Sequence, residues 1–321
     1  MVQKIKNIII AIGIPVLYAV LLRLFFGLEL NSWNDFYQVM SISFLFVLPT
    51  IIGALTVYLS SYEKAKSIPY RIFVPWIPIF IFLAITLALS IEGWACWLMI
   101  LPVFLVTASI GGLFGGYLRT QSKHNKLNIS ILVLLPFFIG PMESLIETIP
   151  ATYRAYTYID IDAPADKIWD NVTRVREIPK EQDRGYLTQL LGFPRPVRAE
   201  LNFEGVGAYR EAMFTKGLVF HETVTEYKDN KKMVFNIKAY PHEIPSTTMD
   251  KHVVIGGDYF DVLNGTYELE PLPNGLKRLH LYSHFKMNTT FNFYAGWWAK
   301  WIMKDIQNNI LQIEKKRSES Q

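Results

Sequence analysis

The sequence predicts two parts: an all-α transmembrane bundle over residues 1–150, and an α+β domain over residues 151–321 in which a curved antiparallel sheet wraps a long C-terminal helix. Three observations predict it. The front part holds five apolar stretches of about the 20 residues that cross a hydrocarbon core. After Pro150 the hydrophobic period shifts to the alternation of strands. The chain then closes on an amphipathic helical run that ends in Lys315, Lys316 and Arg317, where cations complement the helix dipole.

Composition separates the same two parts. Of 321 residues, 51% are hydrophobic, and the excess lies in front: nine Lys/Arg and six Asp/Glu precede residue 150, against 23 and 22 after it. The near-neutral back part carries no basic footprint, which argues against a nucleic-acid partner. Cys96, the single cysteine, cannot form an intramolecular disulfide.

The expected spans are residues 8–28, 36–59, 72–91, 95–118 and 129–146. No small-residue cleavage site follows the first, so it does not read as a signal peptide. Lys4, Lys6, Lys64, Lys66, Arg71, Arg119, Lys123 and Lys126 fall on one side, and Glu29, Asp35 and Glu92 in the alternate loops. That asymmetry places the N-terminus in the cytoplasm of a bacterial inner-membrane protein, and an odd number of spans places the back part in the periplasm. Arg23 is expected to snorkel to the interface, and Glu143 and Glu147, one helical turn apart, to reach water. Gly111 with Gly115 and Gly112 with Gly116 are small-xxx-small pairs, suited to packing within the bundle or to a homodimer face. The spans lack a set of buried opposite charges, so the front part reads as an anchor and not a pump or channel.

In the back part "YRAYTYIDID" (153–162) alternates as a half-buried strand. "APADKIWDNVTRV" reads as a helix, with Pro164 in its first turn, Asp166 at the positive end and an apolar stripe of Ile168, Trp169, Val172 and Val175. A second helix is expected over 179–192. Strands follow near 206–214, 218–228, 232–240, 252–260, 262–270 and 277–287, with turns at "KDNKK" and "PLPNG". The last helix, 291–316, repeats Phe291, Tyr294, Trp298, Ile302, Ile306, Ile310 and Ile313 at helical spacing.

The runs "IDAPADKIWDNV", "HVVIGGDYFDVLNGTYELEPLPNGLKRLHLYSHF" and "FNFYAGWWAKWIMKDIQNNIL" resemble the helix-grip superfamily of START-like lipid-binding and polyketide cyclase/dehydrase proteins (SRPBCC), over about residues 152–316. The resemblance implies a hollow between sheet and last helix that takes a hydrophobic molecule for carriage or for chemistry. It brings no catalytic set with it.

The expected function is therefore membrane-anchored binding or transfer of a lipid or other hydrophobic small molecule. The alternatives are a cyclase, dehydratase or aromatase acting on a membrane-soluble intermediate, and a ligand-sensing or scaffolding protein. Trp298, Ile302, Tyr294, Tyr259 and Asp261 are the expected ligand contacts. Asp261, Tyr259, His252 and His221 are the acid/base candidates, because a carboxyl, phenol or imidazole beside apolar neighbours can move a proton or orient a hydroxyl. Five of the six histidines lie in the back part, but their spacing matches no metal motif, and neither metal nor cofactor is expected. Trp297 and Trp301 sit one position off the expected stripe beside Lys300 and Lys304, a pairing suited to the headgroup level of a bilayer.

Overall fold

Residues 2–28, 39–121, 126–146, 148–244 and 254–320 are described by the computed structural model. The chain divides into two units, Met1–Thr148 and Ile149–Gln321.

The first unit is helical: α1 (Val2–Phe26), α2 (Ser43–Tyr58), α3 (Ile68–Ala88), α4 (Trp94–Gln121) and α5 (Lys126–Ser144). Among the described residues, three helices are long and apolar enough to cross a membrane: Lys6–Phe26 within α1, α3 and α4. At the second and fifth expected spans the apolar helical parts among the described residues are Ser43–Tyr58 and Ser130–Ser144, the latter within the 19 residues of α5. For α2 the start has a chemical cause. Glu143 accepts the backbone N–H groups of Ile42 at 2.8 Å and Ser43 at 3.2 Å, satisfying donors that the first turn leaves open. Glu143 is half-buried and serves as a structural acceptor, and Glu147 lies outside the described residues. Arg23 does not snorkel. It is buried, 2.5 Å from the Glu92 carboxylate, because a guanidinium shielded from water needs a counter-charge.

The glycine pairs pack inside the unit. A Cβ on Gly111 or Gly115 would collide with the carbonyls of Thr50 and Ala54 on α2, and one on Gly112 or Gly116 with Arg71. Of the two roles the spacing suggests, close helix approach is the one the structure displays.

The second unit is a curled seven-stranded antiparallel sheet with a C-terminal helix on its concave face. Its strands are β1 (Ala151–Ile161), β2 (Pro196–Leu201), β3 (Tyr209–Phe214), β4 (Val219–Lys228), β5 (Lys232–Lys238), β6 (Phe260–Pro271) and β7 (Lys277–Met287), in the order β1-β7-β6-β5-β4-β3-β2. Register shifts at Pro196/Arg198, Val224/Glu226 and Val262/Asn264 mark bulges, which bend strands and tighten twist. The two helices between β1 and β2 are α6 (Ala165–Thr173) and α7 (Tyr186–Leu191). The last is α8 (Asn292–Glu319).

Three element assignments change. The expected strand at 252–260 gives way to turns over its described part, because Gly256 at φ +76° brings the chain against the Ala239 carbonyl. β2 lies in "PRPVRAEL", where prolines mask a strand; it is an edge strand, the place where a sheet tolerates proline. The expected helix at 179–192 shrinks to α7, because side chains of α8 hold the segment before it. Arg184 N–H donates to Asn309 at 2.7 Å, and Arg317 reaches the carbonyls of Arg176 and Glu177 at 2.9 and 2.7 Å. Asp305 of α8 caps α7 itself, accepting the N–H of Tyr186 at 3.2 Å and of Thr188 at 2.9 Å.

Helix α8 approaches the sheet through small residues. Ala295 and Ala299 pack with Met303 against Ala155, Phe285 and Met287, and a Cβ on Gly296 would lie 2.6 Å from the Tyr153 ring. Large side chains on that arc would lift the helix off the sheet.

Candidate functional site

Strand alternation decides what faces α8. On β7, Leu279, Leu281, Ser283, Phe285 and Met287 are buried, whereas Arg278, His280, Tyr282 and His284 take the other face. On β3 and β4 the same phase points Arg210, Ala212, Glu222 and Val224 inward. Between this concave face and α8 lies a cavity of about 90 Å³. Its walls are mainly apolar, among them Ile178, Ala212, Phe235, Val262, Met303 and Ile310. Gly265 allows this shape, since a Cβ there would meet the Phe235 ring at 2.5 Å.

Six polar residues also line the cavity: Arg198, Arg210, Glu222, Tyr267, Ser283 and Gln307. Arg210 and Glu222 are register partners on adjacent strands and form a buried ion pair at 2.5 Å. Arg210 also donates to the carbonyls of Thr173 at 3.3 Å and Val172 at 3.4 Å, closing the end of α6, and lies over the Phe235 and Tyr267 rings at 5.6 and 6.0 Å. Burial works against its charge, but Glu222 and Tyr267 outweigh that and raise its pKa; burial pushes the Glu222 carboxyl up while Arg210 opposes the rise. At the other end, Gln307 donates to Ser283 Oγ at 3.1 Å and accepts from Thr157 at 3.2 Å.

A second buried carboxyl belongs to this cluster. Glu314 on α8 is buried, neither of its oxygens has a hydrogen-bond partner, and burial pushes its pKa up to about 8 against the pull of Arg210 and Arg317. One guanidinium cannot neutralise two carboxylates in a dry interior. Arg210 serves Glu222, and Glu314 holds a proton at neutral pH. Burial also raises the pKa of the Tyr267 phenol and keeps it protonated.

The residues expected from sequence lie elsewhere. Trp298, Ile302, Tyr294, Tyr259 and Asp261 are not among those lining the cavity. On α8 the inward arc is Met303, Ile306, Gln307 and Ile310; Trp298 is buried and Ile302 and Tyr294 are half-buried off that arc. Asp261 is in register with Lys286 on the phase opposite to inward Val262. Burial raises its pKa, with the Val262 N–H and Lys286 opposing. Tyr259 is half-buried ahead of β6, its carbonyl accepting the Asn288 N–H at 3.0 Å. His221 lies on the outward phase of β4, bonded to Tyr209 at 2.6 Å and Glu243 at 2.9 Å, and β5 separates it from the strand of Asp261. His252 lies outside the described residues. Trp297 and Trp301 are exposed, as are Lys300 and Lys304.

No family model matches the chain, and no curated protein matches it. Solved structures similar to it include DynU16, from the dynemicin biosynthetic locus, at 14% identity and TM-score 0.29, covering 52% of this chain and 49% of that one. An uncharacterised Rhizobium leguminosarum protein is similar at 13% identity and TM-score 0.31, covering 53% of this chain and 99% of its own. The Mesorhizobium loti protein MLL2253 is similar at 17% identity and TM-score 0.29, covering 51% and 98%. This chain spans about half the length of DynU16. Likeness at these scores establishes neither family nor function.

Proposed function

We propose that the second unit binds a hydrophobic small molecule, or one apolar chain of a lipid, in the cavity between its sheet and α8, and that the first unit anchors it in the cytoplasmic membrane. The carrying observation is the mainly apolar cavity with a few convergent polar groups. Its size limits the cargo. At about 90 Å³ it is smaller than the ~150 Å³ engineered cavity that accepts benzene and far below the ~300–1,000 Å³ of drug-sized pockets. A few methylenes fit as it stands, each contributing about 0.8 kcal/mol on burial. A larger ligand requires the 176–195 segment, held to α8 by polar bonds, to move.

Cyclase-type chemistry has less to work with. Arg210 and Glu222 are committed to each other, and Gln307 to Ser283 and Thr157. The basic-loop asymmetry supports a cytoplasmic N-terminus with all five apolar helices crossing, which would put the second unit on the far side of the membrane.

Ala212→Phe tests the cavity. The added ring fills it from β3 and is expected to lower affinity of the full-length protein for a fluorescent medium-chain fatty acid at least tenfold, read by titration in detergent. Unchanged binding would place the ligand elsewhere.

A further inference from the structure

The face of α8 away from the sheet carries a row of aromatic rings that are exposed among the described residues. Phe293, Trp297 and Trp301 stand at four-residue spacing and are 74%, 55% and 48% exposed. Trp297 and Trp301 touch each other, ring centroids 5.3 Å apart, and both touch buried Trp298. Lys300 and Lys304 are exposed on the same arc. The row continues onto α7, whose Tyr186 and Leu190 are 76% and 45% exposed and which Asp305, one turn past Trp301, fixes to α8.

We infer that this ridge is a docking surface for an anionic lipid bilayer, with the rings at headgroup level and Lys300 and Lys304 on lipid phosphates. The pattern selects that occupant. The ridge is an exposed helix face lined by wholly apolar Phe293 and by two indoles with one apolar and one polar edge, and long cations interleave with them. A protein partner would leave those lysines to be matched by carboxylates, whereas an anionic leaflet supplies the opposite charge at every position. The reading of the cavity gives the ridge its purpose: α7 belongs to the 176–195 segment whose Ile178 borders the cavity. Docking would bring that segment to the surface from which an apolar ligand leaves.

The test uses the full chain with Cys96→Ser and one nitroxide-labelled cysteine, as Phe293→Cys, Trp297→Cys or Trp301→Cys. Vesicles are phosphatidylcholine alone or with phosphatidylglycerol. The ratio of oxygen to nickel-chelate accessibility is compared with Asn274→Cys in the β6–β7 turn. A ratio several-fold higher at the ridge in the anionic vesicles, reduced by Lys304→Glu, is the expected result. Water-like ratios overturn the inference. So does poor accessibility to both reagents, which means burial against protein. Leu17→Cys on α1, exposed on the helix surface, reports membrane insertion independently, so failure of the ridge and failure of the anchor are read apart.

Discussion

Arg210→Met is expected to destabilise the second unit by about 3–5 kcal/mol, the usual loss when one partner of a buried ion pair is removed. The reason is what remains: Glu222, buried with its carboxylate facing the vacated site. Its charge must then be desolvated without compensation, or a proton taken up. Removing both charges is different. Arg210→Met with Glu222→Leu keeps the volume and leaves no orphan charge, so most of the loss should be recovered. The shortfall should be about 1 kcal/mol, for the α6 carbonyls that Arg210 no longer satisfies. Denaturant titration of the full chain compares the variants. Equal losses in single and double variants would show that Arg210 acts through packing and not through charge.

Glu314→Gln should change how stability depends on pH. Between the ordinary carboxyl value of 4.5 and about 8, the folded protein binds one proton more than the unfolded chain at this site, so stability falls as pH rises through that window. The full effect is on the order of 5 kcal/mol from the size of the shift. Below the window the penalty vanishes, and above it the penalty is constant. The glutamine is neutral throughout, so the variant should lose this slope and melt higher than the parent at alkaline pH. Thermal melts of both proteins across the window isolate the site, since other titrating groups are common to the two. Parallel curves would assign the slope to those other groups.

The fold was largely legible. Period and length gave β1, the β4–β5 and β6–β7 hairpins and α8, because each buries one face and its sequence must alternate or repeat accordingly. What failed was local. Pro194 and Pro196 concealed β2 at a sheet edge where proline carries no penalty, and the 179–185 segment drew its order from Asn309 and Arg317, more than 100 residues away. The cavity was legible in outline but not by residue. The repeat along α8 separated buried Trp298 from exposed Trp297 and Trp301, but the helix meets the sheet through Ala295, Gly296 and Ala299, small residues that bulk does not single out, and lines the cavity with Met303, Ile306, Gln307 and Ile310. A signal for the true inward charges was present. Arg210 interrupts the apolar phase of Ala208 and Ala212, and Glu222 that of Phe220 and Val224, so two opposite charges share the inward phase of neighbouring strands. The unpartnered state of Glu314 has no such signature, because it depends on where α8 crosses the sheet.

The central claim is that the cavity holds a hydrophobic molecule. Its most direct test is mass spectrometry of molecules retained by the full-length protein after extraction from its native membrane in mild detergent, with Ala212→Phe purified alongside. The expected result is one hydrophobic species enriched in the parent and lost from the variant. The same species retained equally by both, or none above the detergent background, would contradict the claim.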